Sequence, residues 1–499
     1  MNPRRVALAV AACAVVVHLG ALWNRFAMDD LYIIVLNPLV REPAAPWRIL
    51  AAPYWPADFG GQLYRPLPVL TYALDRLVAS PAWFHAVNLG WHAAASAGVA
   101  GLAHRLSGAR AGLVAGLLFA VHPVHVEAVA NVVGRAELMA AAFACLSVWA
   151  ALSGRHPAWS IAAFAIALLC KENAAVTPAL VIWAWILGVG RPGRRRGAAL
   201  VAGWVIVGAA WAAARALVLA PFGRFHDVAP VFLGLDPLAV RLTAVSAFVD
   251  VARLLVAPVT LRADYSPLER VAVGSPGDPR FLLGVAVFAV WAVLLVAAWR
   301  RGRTVEALGL GWTAVAFLPV SNLLVPIGVL VAERTLYLPS AGVVIAAGAA
   351  LAAIPGRSTA AIAAVLVLAG AARSATRVPV WRDDVRLTES ILEDSPSSYR
   401  GPARMGGLLQ SARRPERALE AYRQAVRSFD RDPGVFVAAA DAAITIGQPG
   451  LADSLLARAA ALCPGCDGLL RFQAAAARAR GDSTTAAALL ARLPVGGAR

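Results

Sequence analysis

Eleven apolar runs, joined by short arginine-bearing links, constrain this chain more than any other feature. They cover residues 6–23, 83–104, 111–129, 138–152, 159–170, 176–189, 198–219, 281–299, 305–322, 338–354 and 360–372. A straight crossing of the bilayer core takes about 20 helical residues. Within hydrocarbon every backbone polar group must find a partner inside the protein, which leaves helices or closed barrels, and runs of this length favour helices. The chain is therefore expected to be all-α and polytopic. A twelfth run, 238–256, contains Arg241, Asp250 and Arg253. It is too polar to face lipid and is expected to lie at the interface or to re-enter.

Charge sets the direction of the crossings. Arg4 and Arg5, the links at 105–110, 155–156, 191–196 and 300–303, and Arg357 are cationic, and the positive-inside rule places them in the cytoplasm. The amino terminus is then cytoplasmic, the loop 24–82 lies outside, and eleven crossings leave the chain beyond 372 outside as well. The same topology accounts for the net charge of +17, so nucleic acid is not an expected partner. A single lysine, Lys171, stands among 46 basic residues. That bias fits a G+C-rich genome, hence a bacterial inner (cytoplasmic) membrane with the tail periplasmic. The first run follows MNPRR as in a signal peptide, but no small-residue cleavage pattern precedes Asp29, and it is expected to remain as a span.

From about residue 373 the composition turns polar. Residues 374–397 are expected to form a linker helix, and 398–499 reads as an α-solenoid of about three helical hairpins. These hairpins, 398–433, 434–464 and 467–494, have a period of roughly 34 residues, that of tetratricopeptide (TPR) repeats. Cys463 and Cys466 form a C-x-x-C that an oxidising compartment would allow to close. One such pair is too few for a zinc site.

Charged residues in apolar surroundings carry the functional signal, because they are costly there unless they pair or meet solvent or substrate. The stretch NRFAMDDLYIIVLNPLV (24–40) puts Asp29 and Asp30 where the first run leaves the membrane. It is compatible with a plain helix boundary and with a catalytic lip. LYRPLPVLTYALD (63–75) carries Arg65. FAVHPVHVEAVANVVGRAELMA (119–140) carries His122, His125, Glu127, Arg135 and Glu137. An H-x-x-H with a glutamate can bind a metal, but the intervening proline and the helical phase of Glu127 favour hydrogen bonding and sugar or phosphate contacts. Lys171 and Glu172 end a short run. LPVSNLLVPIGVLVAERTLYLPS (318–340), broken by prolines, reads as re-entrant backbone bearing Glu333 and Arg334, whose guanidinium matches a phosphate. His85, Asn88 and His92 on one helical face, and Asp264, are weaker candidates.

Taken in order, M-D-D, Y-R-P-L, F-H-x-x-N-x-x-x-H, H-P-V-H-V-E-A-V-A-x-V-x-G-R-A-E-L, K-E and A-E-R-x-L-Y-L-P-S resemble the transmembrane and TPR-repeat-containing O-mannosyltransferases of the GT-C superfamily. The resemblance covers essentially the whole chain, with a GT-C-type domain over 1–373, although the tail is short and its repeats degenerate. It implies an inverting glycosyltransferase that moves a hexose, mannose in this family, from a polyprenyl-phosphate donor to a protein hydroxyl. Asp29 would be the base, with Asp30 positioning it or binding the acceptor. Arg334, Lys171 and Arg65 would meet the donor phosphate, and His122, His125, Glu127, Arg135, Glu137 and Glu172 would shape the sugar and acceptor pocket. No cofactor is required, since basic side chains can neutralise the departing phosphate. Partners would be the lipid-linked sugar, membrane lipids and a protein acceptor engaged by the tail. A non-catalytic scaffold would not need the acidic pair, and a lipid-linked-sugar flippase would be expected to show inverted repeats, which the sequence lacks.

Overall fold

The structure, a computed structural model, describes residues 2–42, 46–222, 228–355, 358–464 and 468–492, and among these there is no β-strand. Each of the eleven apolar runs has its main part in a helix, within Pro3–His18, Pro81–Ala120, Arg135–Leu152, Pro157–Cys170, Thr177–Ile186, Arg194–Leu219, Pro279–Arg300, Thr304–Phe317, Tyr337–Ala352 and Ser358–Arg377. The runs 6–23, 111–129, 176–189, 305–322 and 338–354 extend past these helices into short turns. Several of the helices begin with proline in the first turn, behind a polar cap. Asn2 accepts the Arg4 N–H at 3.0 Å, and Asp278 accepts that of Arg280 at 2.8 Å. Pro81–Ala120 holds two of the runs, divided where Ser107 and Gly108 leave helical geometry. Gly108 turns the chain at φ +85°, a conformation in which a Cβ is penalised.

Six helices are long and apolar enough to cross a membrane alone, or seven if Pro81–Ala120 and Pro123–Ala130, bent by 49°, count as one. Pro157–Cys170 and Thr304–Val320 are apolar but shorter. The chain is thus a multi-pass membrane protein. Its helices differ in what they face. The apolar window of Val132–Leu152 is 78% buried in protein, whereas that of Arg194–Phe222 is 0% buried, although Leu200 and Trp204 near the start of that helix are covered. Lipid gives little hydrophobic drive between helices, so close packing must supply the adhesion. Thr304–Phe317 and Tyr337–Ala352 show this. A Cβ on Gly309 would fall 2.4 Å from the Gly342 carbonyl oxygen, and one on Gly342 would fall 2.3 Å from that of Gly309.

The polar run near 250 forms two short helices, Pro237–Ser246 and Phe248–Val256, neither among the spanning helices. Asp250 there pairs with Arg270, and Phe248 packs edge-on to Phe317 at 5.7 Å.

Beyond Arg377 a short turn, Val378–Trp381, leads into the helix Asp384–Asp394. Three helix pairs follow: Arg400–Ser411 with Pro415–Ser428, Pro433–Thr445 with Pro449–Leu462, and Gly468–Ala479 with Ser483–Ala491. The inner faces of the first five of these helices share one core that includes Leu419, Tyr422, Phe436, Leu456 and Leu469, and Ser483–Ala491 packs through Ala486 in a smaller cluster with Ala474 and Ala477. Left-handed residues turn the chain within each pair at Arg413, Gly447 and Gly481, each 34 positions after the last. Cys463 is disulfide-bonded; Cys466 lies outside the described residues, as do 493–499 at the end of the third expected hairpin.

The tail is bolted to the membrane domain. Ser395 donates to the Asp264 carbonyl at 2.8 Å, and Ser398 to its carboxylate at 2.5 Å. The Ser397 N–H reaches Glu269 at 2.8 Å. Arg377 pairs with Asp394 at 2.7 Å, and Arg431 donates to the Leu233 carbonyl at 2.9 Å. Asp264 is an anchor for the tail in this geometry. The tail also touches the loop that follows the first helix: the Arg25 N–H donates to the Arg382 carbonyl at 2.7 Å. That loop and the tail therefore lie on one side of the helical domain.

Candidate active site

The acidic pair sits where the first helix, extended to Trp23, has ended and the chain turns back over the domain. Met28 takes φ +56°, and Leu31–Val35 forms a single wide, π-type turn, an irregularity that often accompanies functional sites. The two carboxylates meet opposite environments. Asp30 is fully buried and accepts three backbone N–H groups, from Ala27 at 3.2 Å, Val132 at 3.3 Å and Val133 at 2.8 Å. Burial drives its pKa up to about 7, and the three N–H donors limit the rise. Asp29 is half-buried, and among the described residues its carboxylate has no hydrogen-bond or ion-pair partner.

Asp30 grips the segment between the third and fourth apolar runs. That segment is a chain of short turns, Pro123–His125, Val126–Ala130 and Val132–Gly134, and every residue from 121 to 140 is buried. Irregular backbone at this depth is tolerated because protein encloses it. Its side chains go to different places. His122 bonds the Val124 N–H and the Leu255 carbonyl, at 3.3 and 3.2 Å. His125 meets the Ser340 hydroxyl at 2.7 Å and lies between the rings of Phe119 and Tyr337. His92 meets the Tyr337 hydroxyl at 2.7 Å, and Asn88 spans carbonyls of this segment. These groups stitch the helices together.

Arg135 has no exposure. Its Nε donates to Asn88 at 2.8 Å, Nη2 to the Phe84 carbonyl at 2.8 Å and Nη1 to Thr71 at 3.0 Å. Nη1 also pairs with Asp75 at 2.5 Å, and the guanidinium lies 4.8 Å from the Tyr72 ring centre. The structure puts Arg135 at the centre of a closed polar cluster, where it joins the loop 24–82 to two helices.

The remaining candidates converge as three ion pairs. Arg334 pairs with Glu127, which also accepts the Arg334 N–H at 2.8 Å. Lys171 pairs with Glu137. Arg65 grips Glu172 with two nitrogens, one of them Nε at 2.9 Å, and lies 5.0 Å from the Tyr54 ring centre. Burial opposes the charge on Arg65, but Glu172 outweighs it and holds the guanidinium above its ordinary value. Burial likewise opposes the Glu172 charge, and Arg65 wins again, bringing that carboxyl down to about 2. Neighbouring pairs lie within electrostatic reach of one another, and Arg334 within reach of Asp29: Arg334 feels Glu127, Asp29 and Glu137, and Lys171 feels Glu137, Arg65 and Glu172. Each glutamate is matched by a cation, so Asp29 is the unmatched carboxylate of the group. Arg334 is 25% exposed, against 12% for Arg65 and 8% for Lys171, which makes it the cation most open to a ligand.

Sequence reasoning did not single out Asp75, Thr71, Tyr54, Tyr337 or Ser340. Four of these, all but Tyr54, lie inside stretches already notable for charge, and their alternation with apolar residues was the available signal. Among the described residues no three His, Cys, Asp or Glu side chains gather as a metal site would require.

Mouse Protein O-mannosyl-transferase TMTC4 is 28% identical to this chain over 469 residues, covering 80% of it and 63% of the mouse protein. Mouse Protein O-mannosyl-transferase TMTC3 is 27% identical over 477 residues, covering 85% of this chain and 51% of the relative. The chain is homologous to the TMTC protein O-mannosyl-transferases. Human Protein O-mannosyl-transferase TMTC1 extends the same relation, 26% identical over 493 residues with 86% of this chain and 56% of the relative covered. The chain thus spans between about half and just under two thirds of these relatives' lengths. No protein-family model matches it, and no solved structure does.

Proposed function

We propose that the protein is a membrane glycosyltransferase that moves a hexose, mannose in our reading, from a polyprenyl-phosphate carrier to hydroxyl groups of a protein. The observation that carries this is the unmatched Asp29, next to the buried Asp30 and within electrostatic reach of Arg334. Asp29 takes the proton from the acceptor hydroxyl as its oxygen attacks the anomeric carbon. The bond from that carbon to the carrier phosphate breaks, and configuration inverts. A general base must lie within hydrogen-bond reach of the proton it removes, and a half-buried carboxylate without a partner can provide that reach. The leaving phosphate gains charge and needs a positive group already in place. Arg334 spends one guanidinium nitrogen on Glu127, and a planar fork retains further donors. Lys171 and Arg65, more enclosed, balance the glutamates and shape the wall.

Homology to proteins named protein O-mannosyl-transferases supports the sugar and the acceptor class. The shared side of the loop and the tail supports the topology, because it requires an even number of crossings between them. The ten apolar runs that follow the first supply that number. In this reading the amino terminus is cytoplasmic and both the site and the tail are extracytoplasmic. The 34-residue recurrence of left-handed turns at Arg413, Gly447 and Gly481 supports a TPR-like tail that presents the acceptor. A disulfide at Cys463 agrees with an oxidising compartment.

The test is to supply membranes containing the protein with radiolabelled polyprenyl-phosphate mannose and polyprenyl-phosphate glucose. Label should pass to protein from the mannose donor. No transfer from either donor would overturn the reading.

A further inference from the structure

Among the described residues Asp29 makes no hydrogen bond or ion pair that fixes its side chain, so its aim depends on the backbone on either side. On the carboxyl side Asp30 supplies the anchor through its three N–H bonds. On the amino side stands Met28, whose φ of +56° is left-handed, a region that β-carbon-bearing residues occupy only when something holds them there. The Met28 N–H donates to Asp384 Oδ1 at 2.9 Å. Asp384 belongs to the tail: it opens the helix Asp384–Asp394, whose preceding residue, Asp383, caps the Arg386 N–H at 2.9 Å. The same Oδ1 of Asp384 accepts Arg404 Nη2 at 2.5 Å, and Arg404 lies on the first helix of the first tail pair. Two further bonds splint the junction, from the Arg25 N–H to the Arg382 carbonyl at 2.7 Å and from Asn24 to the Val378 carbonyl at 3.3 Å. Tyr422, on the second helix of that pair, is within electrostatic reach of Tyr32, just past the acidic pair.

We propose that Asp384 is a positioning residue for Asp29, holding Met28 in its left-handed turn, and that Arg404 links this clamp to the first helix pair of the tail. This rests on the reading of Asp29 as the base. Its consequence is that the tail does more than collect the acceptor: the orientation of the base depends on how the first helix pair is seated. Losing the Asp384 carboxylate removes the acceptor of the Met28 N–H, so Met28 relaxes to negative φ and Asp29 turns away from the acceptor oxygen.

The experiment compares wild type, Asp384→Ala, Arg404→Ala and the double variant Met28→Gly with Asp384→Ala. Two readouts are taken in membranes or detergent: transfer from polyprenyl-phosphate mannose, and hydrogen–deuterium exchange of the peptide containing Met28. A misaimed catalytic group costs about 10- to 100-fold, and Asp384→Ala should lose that much in kcat with KM for the donor unchanged and with faster exchange at Met28. Arg404→Ala should show a smaller loss of the same kind. The double variant should regain most of the activity, because glycine adopts the left-handed turn without a clamp. Wild-type kcat and exchange in Asp384→Ala would overturn the proposal. So would a loss that glycine at 28 does not restore, since that would assign Asp384 to tail docking alone. If wild type itself transfers nothing, the glycosyltransferase reading fails, and unaltered exchange at Met28 in Asp384→Ala would separately overturn the clamp.

Discussion

The end of the helical domain that carries the tail contains two charged regions that look alike in sequence and differ in their surroundings. Around Arg135 all three guanidinium nitrogens meet protein oxygens and no surface is exposed. Around Asp29 a carboxylate is partly open and unmatched, beside an arginine that is 25% exposed. Both regions follow from charge placed in apolar sequence, which is retained only when it is paired or used. In the first, every guanidinium nitrogen meets a protein oxygen and the charge serves as a structural tie. In the second, Asp29 is left without a cation and Arg334 is partly open, the groups that the proposed reaction uses. The balance of partners, more than the residue types, separates scaffold from site.

Breaking the Arg135 cluster should have the largest effect. Arg135→Ala leaves Asp75 buried without its cation, and removing one partner of a buried pair costs about 3–5 kcal/mol. The variant should fail to accumulate in membranes or melt far below wild type in detergent, which thermal unfolding measures. Arg334→Ala also strips buried Glu127 of its cation, but Glu127 keeps the backbone N–H of residue 334 as a donor, so melting should fall by less than in Arg135→Ala. Arg334→Ala should lower kcat for transfer by about 100-fold, the scale for removing one charge-stabilising donor, and Arg334→Lys should recover part of this. Equal damage to stability by both variants would erase the distinction between the regions.

Asp30 sharpens the comparison inside the acidic pair itself. Asp30→Asn turns an amide N–H₂ toward backbone donors and should cost about 1–3 kcal/mol in stability. The pH dependence has a definite sign. With the carboxyl pushed up to about 7, the folded state binds that proton more tightly than the unfolded chain does. Its contribution is full below the ordinary carboxylate range and is lost as pH rises toward 7. Melting of wild type should therefore fall more between about pH 4 and 7 than melting of Asp30→Asn does. The smallest effect is expected in the tail. Arg413 is exposed and holds the left-handed turn that glycine holds at 447 and 481. Arg413→Gly should raise tail stability by about 1 kcal/mol, visible in denaturant unfolding.

The helices were legible because apolar runs of this length have few other solutions, and each run named from the sequence has its main part in a helix. The polar run at 238–256 was rightly set apart, since Arg241, Asp250 and Arg253 cannot face lipid. The pairings were not legible. Glu127 meets Arg334 across 207 positions, Arg65 meets Glu172 across 107, and Met28 meets Asp384 across 356, separations at which one sequence carries no register. Arg135 drew attention as a pocket residue for the reason that makes it a tie: buried charge is conspicuous, and its surroundings cannot be read from its neighbours in the chain. The turn at Arg413 escaped notice because no glycine marks it.

The division of labour between Asp29 and Asp30 is the central claim, and one paired measurement tests it most directly. Transfer of label from polyprenyl-phosphate mannose to protein is followed for Asp29→Asn in membranes, alongside its melting temperature in detergent. Loss of a general base costs about 10²- to 10⁴-fold, so transfer should fall by that much while melting stays at the wild-type value. Transfer at the wild-type rate, or a loss that only tracks unfolding, would contradict the assignment of Asp29 as the base.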